Sequence, residues 1–557
     1  MHCSENPDKQ EKKKIFRKMK FAVIAAGEGS RLSQEGVGVP KPLVKVCGEP
    51  MIDRLLRIFV DCGATEIVVV VNEQSVTVRE HLEAVSLPVP LRLVVKTTPS
   101  SMHSFHAISS YLRGGRFCLT TVDTIFREQD FKKYITYFEH TPDIDGCMAV
   151  TPYVDDEKPL WVSVSEEAPS QSALPSADSG RLFISGFHDS QEQGDCFVSG
   201  GIYCLADRAL DVLDSCMERG MSRMRNFQRQ LVSECLCLEA YPITKILDVD
   251  HKDDIAKAES FLHPLAGKRI LGICRGSEFS PNCVDKDMAV MRAVSRNLEA
   301  LGAEVSLLNE SVFRTVQFED FDASSGKKAD AVFSMARSRA ALAVLASMER
   351  SGCAVVNPSH GVERCVRTTM SELFSAAGIR SAQSRIIRRG GSMIRGISYP
   401  CWLKRGDACA QSKEDTCHVS TEAEAQSVLA SYWRRSVESV VVNEHLTGDL
   451  VKFYGIYGSR FFFWLYPSRS VHHSKFGLEA INGEAKGFAF DADCLKREAD
   501  RAARVLGISV YGGDCVVASD GSFSIIDFND WPSFAPCLED AAYEIAMKIM
   551  NEVSSHR

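Results

Sequence analysis

FAVIAAGEGSRLSQEGVGVPKPL, residues 21–43, passes from an apolar strand through a glycine-rich turn to a Pro-Lys-Pro segment. The apolar run predicts a strand over Phe21–Ala26, and Ala25, Ala26, Gly27 and Gly29 form the turn that follows. Small residues after a strand let backbone N–H groups approach phosphate oxygens with no Cβ in the way. Arg31 and Lys41 supply the positive charge that a triphosphate needs. Arg suits paired oxygen contacts and Lys acts as a point charge. Pro40 and Pro42 stiffen the chain around Lys41. Working outward, Pro50–Cys62 reads as a helix with Ile52, Leu55, Leu56 and Phe59 on one face, and Ile67–Val71 as a second strand. This βαβ rhythm runs from Lys20 to about Leu262 and predicts an α/β domain with a mostly parallel sheet.

The whole chain has 557 residues, enough for three or four folding units. It is 45% hydrophobic and 25% charged, an ordinary globular composition, with a net charge of −8. That charge argues against sequence-independent nucleic-acid binding, which needs a basic surface. Apolar runs such as Ile67–Val71 and Phe461–Leu465 are too short to span a bilayer. The basic run at residues 1–18 reads as a disordered lead-in, and no apolar segment of a secretory signal follows it. The 20 cysteines include no C-x-x-C pair. Cys235 with Cys237, and Cys401, Cys409 and Cys417, read as free thiols, and a chain rich in free thiols fits a reducing cytoplasm. Ser165–Gly180 reads as a surface loop, and His263–Gly267 as the main boundary.

The G-x-G-x-R-L turn, the short loop and P-K-P-L at the start of an α/β domain resemble the sugar-phosphate nucleotidyltransferase superfamily. The nearest patterns are the MobA-like enzymes and the choline- and inositol-phosphate cytidylyltransferases. The resemblance covers most of residues 19–262 and implies a Rossmann-like domain of the GT-A type. It places Ser101 and His103, in SMHSFHAI, near the nucleobase, and Asp123, at the end of FCLTTVDTIF, as the first metal ligand. A carboxylate at that edge of a parallel strand lies in the ligand crevice. Gly200 and Gly201, in FVSGGIYCL, match the acceptor-binding strand. In ILDVDHKDDIAKAESFL, Asp250 fits the second metal ligand, with Asp248 the competitor. Asp253 and Asp254 read as first-turn helix residues. Arg223, Arg225 and Arg229 lie where an acceptor phosphate would bind, with Arg225 the chosen candidate; a solvated basic helix face explains them equally well. The implied reaction joins a nucleoside triphosphate, CTP by resemblance, to a small phosphorylated metabolite, with Mg²⁺ (or Mn²⁺) and release of pyrophosphate.

The second half resembles the ATP-grasp superfamily over about residues 268–550. Arg269–Cys274 reads as a strand, followed by a long helix with Met288, Met291, Val294 and Leu298, and by a strand at Glu304–Leu308. The resemblance implies a pre-ATP-grasp α/β domain at 268–357 and an α+β ATP-grasp domain at 358–557, after the N-terminal domain at 19–264. It implies that Lys404, in YPCWLKRGD, holds the ATP phosphates with Lys413 across the next loop. Glu444 matches the hinge acid for the ribose, and Lys452 the basic residue on the following strand. Asp514, Asp527 and Asn529 match metal ligands. Positions 527 and 529 share one face of a strand, whereas Asp530 points away and is read as an acceptor-positioning residue.

Two activities, nucleotidyl transfer and an ATP-dependent kinase step making the phosphorylated acceptor, form the leading expectation. A carboxylate–amine ligase in place of the kinase is the alternative. A scaffold with two degenerate nucleotide-binding domains is the third, and it is disfavoured because the charged groups of both sites are present. Small phosphorylated metabolites and nucleotides are the expected partners. The oligomeric state is not legible.

Overall fold

The computed structural model describes residues 19–27, 29–155, 158–167, 181–192, 194, 196–280, 283–315, 329–393, 396–408, 412–467, 481 and 483–555. The basic lead-in 1–18, most of the 165–180 loop, and Cys409 with part of the loop between Lys404 and Lys413 lie outside the described residues. The chain divides into two compact units, with the division between Leu262 and His263.

In the first unit a nine-stranded sheet carries the site. Its first four strands, in spatial order Leu91–Val95, Ile67–Val71, Lys20–Ala25 and Phe117–Thr121, are parallel. Phe197–Leu205 then joins antiparallel, followed by Gly146–Thr151, Leu238–Pro242, Phe183–His188 and Trp161–Ser165. The expected mostly parallel sheet is therefore corrected to a mixed one. The βαβ rhythm that implied parallel strands ends at Phe117–Thr121; beyond it, adjacent strands such as Trp161–Ser165 and Phe183–His188 pair antiparallel. Alternation along each strand splits the core in two. Phe21, Val23 and Ala25 enter one buried cluster, and Ala22, Ile24 and Ala26 the other. The helix Met51–Asp61 buries Ile52, Leu55, Leu56 and Phe59 on the first face, where Phe21 and Phe59 lie 4.7 Å apart between ring centroids. The helix Ser101–Leu112 covers the second with Met102, Phe105 and Ile108.

Among the described residues the second unit has three four-stranded sheets. Glu304–Asn309, Arg269–Cys274, Ala331–Ser334 and Ala354–Val356 form a parallel sheet. Ser384–Arg388, Ser439–Glu444, Cys401–Arg405 and Thr416–Val419 form an antiparallel one. Phe462–Leu465, Asp449–Ile456, Val510–Val517 and Phe523–Asp530 form another. One hydrophobic cluster runs from the parallel sheet, through Ala331, Phe333 and Val356, into Tyr454 and Val510 of the third and Trp531 just beyond its last strand. The helices Val284–Ala300 and Leu538–Ser555 close it. Asn357 joins the two sheets directly. Its carboxamide oxygen accepts from the Val510 N–H at 2.8 Å and its nitrogen donates to the Val510 carbonyl at 2.7 Å. The second sheet packs on its own cluster around Leu403, Leu429 and Tyr432. Among the described residues no helix is long and apolar enough to cross a membrane.

Candidate active sites

The strand Lys20–Ala25 delivers Ala26 and Gly27 to the turn, and Gly29 adopts a left-handed conformation with φ of 59°. A Cβ on Gly29 would lie 2.9 Å from the Lys41 Cβ, so the glycine lets the Lys41 stem pack against the turn. Lys41 begins a short 3-10 turn after Pro40, and only a tenth of its side chain is exposed.

Asp123 follows Phe117–Thr121 in the turn to the two-residue strand Thr124–Ile125. That strand pairs antiparallel with Leu247–Asp248, and the Asp123 carbonyl accepts from the Val249 N–H at 3.1 Å. This small ladder brings Asp250 beside Asp123. The Lys41 ammonium bridges both, at 2.6 Å from Asp250 Oδ1 and in direct contact with Asp123 Oδ2. Arg31 reaches Asp250 Oδ2 at 3.1 Å from the exposed side. Burial alone would push the Lys41 pKa down. The two carboxylates outweigh it, and the net direction is up.

Asp254 accepts from the N–H groups of Asp250 and His251, at 3.1 and 2.8 Å, and so holds the turn before the helix Lys252–Leu262. Glu35 adds a bond to His251 Nδ1 at 2.6 Å and raises that imidazole's pKa.

Gly200 and Gly201 lie where the pairing of Phe197–Leu205 with Gly146–Thr151 shifts register. A Cβ at Gly200 would meet Ile246 Cδ1 at 2.3 Å, and one at Gly201, with φ of 72°, would meet Thr124 Oγ1 at 3.3 Å. Gly200 and Gly201, expected to admit the acceptor, therefore adjoin the Asp123 turn, whose Thr121 and Thr124 hydroxyls bond at 2.7 Å. Ser101 and His103 open the helix Ser101–Leu112, and the Ser100 hydroxyl meets His103 Nδ1 at 2.8 Å. Arg225 and Arg229 both pair with Asp189, whose pKa those bonds lower. An acceptor phosphate would have to compete with that carboxylate for Arg225.

In the second unit a cavity of about 330 Å³ gathers Lys404, Glu444, Lys452, Asp514, Asp527 and Asn529. Lys404, in Cys401–Arg405, is 7% exposed and donates to the Ile526 carbonyl at 2.7 Å. Burial lowers its pKa against the opposing pull of Asp527. Asp514 and Asp527 are direct partners across the hairpin Val510–Val517 and Phe523–Asp530. Lys452 lies 3.2 Å from Asp514, and Arg367 3.4 Å from Asp527. Burial pushes the Asp527 carboxyl up, but Arg367 and Lys404 bring it below its ordinary value. Glu444 ends the strand Ser439–Glu444 and accepts from the Gln383 N–H at 3.2 Å. Lys413 is exposed in the turn Lys413–Asp415 and is not among the described residues lining the cavity.

Arg275, Arg337 and Arg367 also line this cavity and were missed in the sequence reading. For Arg275 and Arg337 a signal existed, since each lies just beyond a parallel strand. Asp530, read as lying off the face of Asp527 and Asn529 and as an acceptor-positioning residue, is among the lining residues, 1% exposed and paired with Arg337.

At each site two carboxylates from different segments converge on one cationic neighbourhood, a donor set that suits a hard divalent ion. Among the described residues no three His, Cys, Asp or Glu side chains gather as a self-sufficient cage. An ion would then take further ligands from nucleotide phosphates, as Mg²⁺ commonly does.

The N-terminal part of the chain has the α/β nucleotidyltransferase fold, and residues 21–227 match the MobA-like NTP transferase domain model. Among curated proteins, the chain is 24% identical over 255 residues to the bifunctional IPC transferase and DIPP synthase of Archaeoglobus fulgidus, covering 45% of each chain. It is 33% identical over 105 residues to the bifunctional protein GlmU of Maricaulis maris, covering 19% of this chain and 23% of that one. The chain thus spans less than half the length of either relative. Among solved structures, the inositol-1-phosphate CTP transferase from T. maritima aligns at 17% identity and a TM-score of 0.36, over 44% of this chain and 95% of that one.

Proposed function

We propose that the chain is a bifunctional cytoplasmic enzyme, with one activity in each compact unit. The first transfers a nucleotidyl group from a nucleoside triphosphate, CTP in first place, to a phosphorylated sugar, polyol or amino alcohol. The observation that carries this reading is the convergence of Asp123 and Asp250 on Lys41, beside the glycine turn at the end of the parallel strands. An acceptor phosphate oxygen attacks the α-phosphorus and pyrophosphate departs. Both reactants are anionic, so positioning and charge neutralisation carry the step. Asp123 and Asp250 would hold Mg²⁺, which supplies charge neutralisation between the two phosphates. Arg31 and Lys41 stabilise the leaving pyrophosphate, Gly27 and Gly29 admit the phosphates, and Gly200 and Gly201 leave room for the acceptor.

The second unit is read as an ATP-grasp kinase that makes the phosphorylated acceptor. Support comes from the cavity in which Lys404 faces Asp514, Asp527 and Asn529 across the sheets, with Glu444 at its rim. Lys404 holds the ATP phosphates, and the three oxygen ligands would hold Mg²⁺. The test is a metabolite screen with each nucleoside triphosphate, reading pyrophosphate release and ADP formation separately. Pyrophosphate release only with a phosphorylated acceptor supports the first activity; its absence with every triphosphate overturns it. ADP formation that needs an amine and a carboxylate together, with an amide product, would replace the kinase by a ligase.

A further inference from the structure

The nucleotide reading leaves one wall of the 330 Å³ cavity without a task. The parallel sheet builds that wall. Arg275 follows the strand Arg269–Cys274, Arg337 follows Ala331–Ser334, and Lys286 lies in the first turn of the helix Val284–Ala300. The crevice beyond the carboxyl ends of parallel strands is where α/β sheets bind small molecules. The side chains here are ordered by ion pairs. Arg275 lies 3.3 Å from Asp287 and donates to the Trp531 carbonyl at 2.7 Å. Ser280 donates to the same Asp287 at 2.6 Å. Arg337 holds Asp530 through Oδ1 and through its carbonyl, the latter at 3.3 Å.

Two features make this wall more than packing. Three cationic side chains face two carboxylates, so an anion entering here meets an excess of positive charge. The second feature is Asp530 Oδ2, a buried carboxylate oxygen for which no hydrogen-bond partner is found among the described residues. A buried acceptor left unmet is costly, and a ligand N–H or O–H would satisfy it.

We propose that this wall is the acceptor subsite of the second unit, and that its acceptor is a small molecule bearing both an anionic group, phosphate or carboxylate, and a hydroxyl. Arg275 and Lys286 take the anion, and Asp530 Oδ2 takes the hydroxyl hydrogen bond. The proposal rests on the kinase reading of the unit and narrows its substrate from polyols and amino alcohols in general to anionic ones. In the transfer, the hydroxyl oxygen bonds to the γ-phosphorus of ATP as the bond to the β,γ-bridging oxygen breaks. ADP leaves with that electron pair, and the hydroxyl proton passes to water.

The test uses the full chain with Mg²⁺ and a non-hydrolysable ATP analogue, titrated calorimetrically with inorganic phosphate and, separately, with malonate. At least one of these anions should bind, and Arg275→Met should weaken it roughly tenfold or more, as loss of a charge-assisted contact does. Lys286→Met, at an exposed helix position that tolerates substitution, should weaken the same anion and keeps the test decisive if Arg275→Met fails to fold. A preference for phosphate or malonate tells an ester from a carboxylate. Unchanged affinity in the folded variants, or no binding of either anion by the native protein, overturns the proposal. The analogue itself is titrated into native and Lys404→Met proteins. Equal affinity there defeats the ATP reading, whatever the anion result.

Discussion

At the scale of single residues, Lys41 holds the place that a divalent cation would take between Asp123 and Asp250. An ammonium there neutralises both carboxylates while no nucleotide is bound, and a triphosphate would draw it away. Lys41→Met should therefore bind Mn²⁺ without nucleotide, read by electron paramagnetic resonance, where the native protein needs the triphosphate as well. Its rate of pyrophosphate release should fall by about 10²–10³-fold, the usual effect of losing one charge aimed at a transition state. Asp123→Ala should abolish pyrophosphate release and leave ATP-analogue binding by the second unit unchanged; near-native release would remove Asp123 from the metal site. Lys404 offers a pH test. Burial lowers its pKa, so its charge is lost at lower pH than that of an ordinary lysine. ATP affinity should decline as pH rises through that lowered value, and Lys404→Arg, which stays charged, should flatten the profile.

At the scale of elements, the strand Phe197–Leu205 shows how a site is framed by backbone. Gly200→Val should displace Ile246 and the neighbouring Ala149 carbonyl, at a cost of about 1–3 kcal/mol. Thermal denaturation and the acceptor KM should both register it, whereas triphosphate binding, proposed at the turn of Gly27 and Gly29, should hold. Elements of this kind mark the limit of what the chain reveals before folding. The strand Lys20–Ala25 and the helix Met51–Asp61 were legible because period-2 and period-3.6 patterns are local. Asp123 and Asp250 were legible as types, yet their juxtaposition depends on a two-strand ladder between Thr124–Ile125 and Leu247–Asp248 that leaves no local mark. Arg367 was missed because an arginine opening a helix looks like any solvated end, and only the fold turns it toward Asp527. Asp530 alternates with Asp527 and Asn529, since the extra residue of the bulge, Ile526, comes before all three; its pairing with Arg337 left no local mark.

For the whole molecule, the division between Leu262 and His263 predicts that residues 19–262 and 263–557 can be made as separate fragments. Each should be soluble and keep its own nucleotide binding, measured by calorimetry. Insolubility of both, with the full chain soluble, would mean that they share a core. Within the second unit, Asn357 has a mechanical consequence. Its carboxamide splices the last strand of the parallel sheet to Val510 of the hairpin Val510–Val517 and Phe523–Asp530 as a short extra rung would. Arg275 and Arg337 extend from one side of that splice, and Asp514 to Asp530 lie on the other, so the two form a single chassis of fixed span. The sheet carrying Lys404 and Glu444 has its own separate core and is the natural jaw. Opening for nucleotide exchange would then widen the gap beside Lys404 while the spacing from Arg275 and Arg337 to Asp514 and Asp527 stays as built.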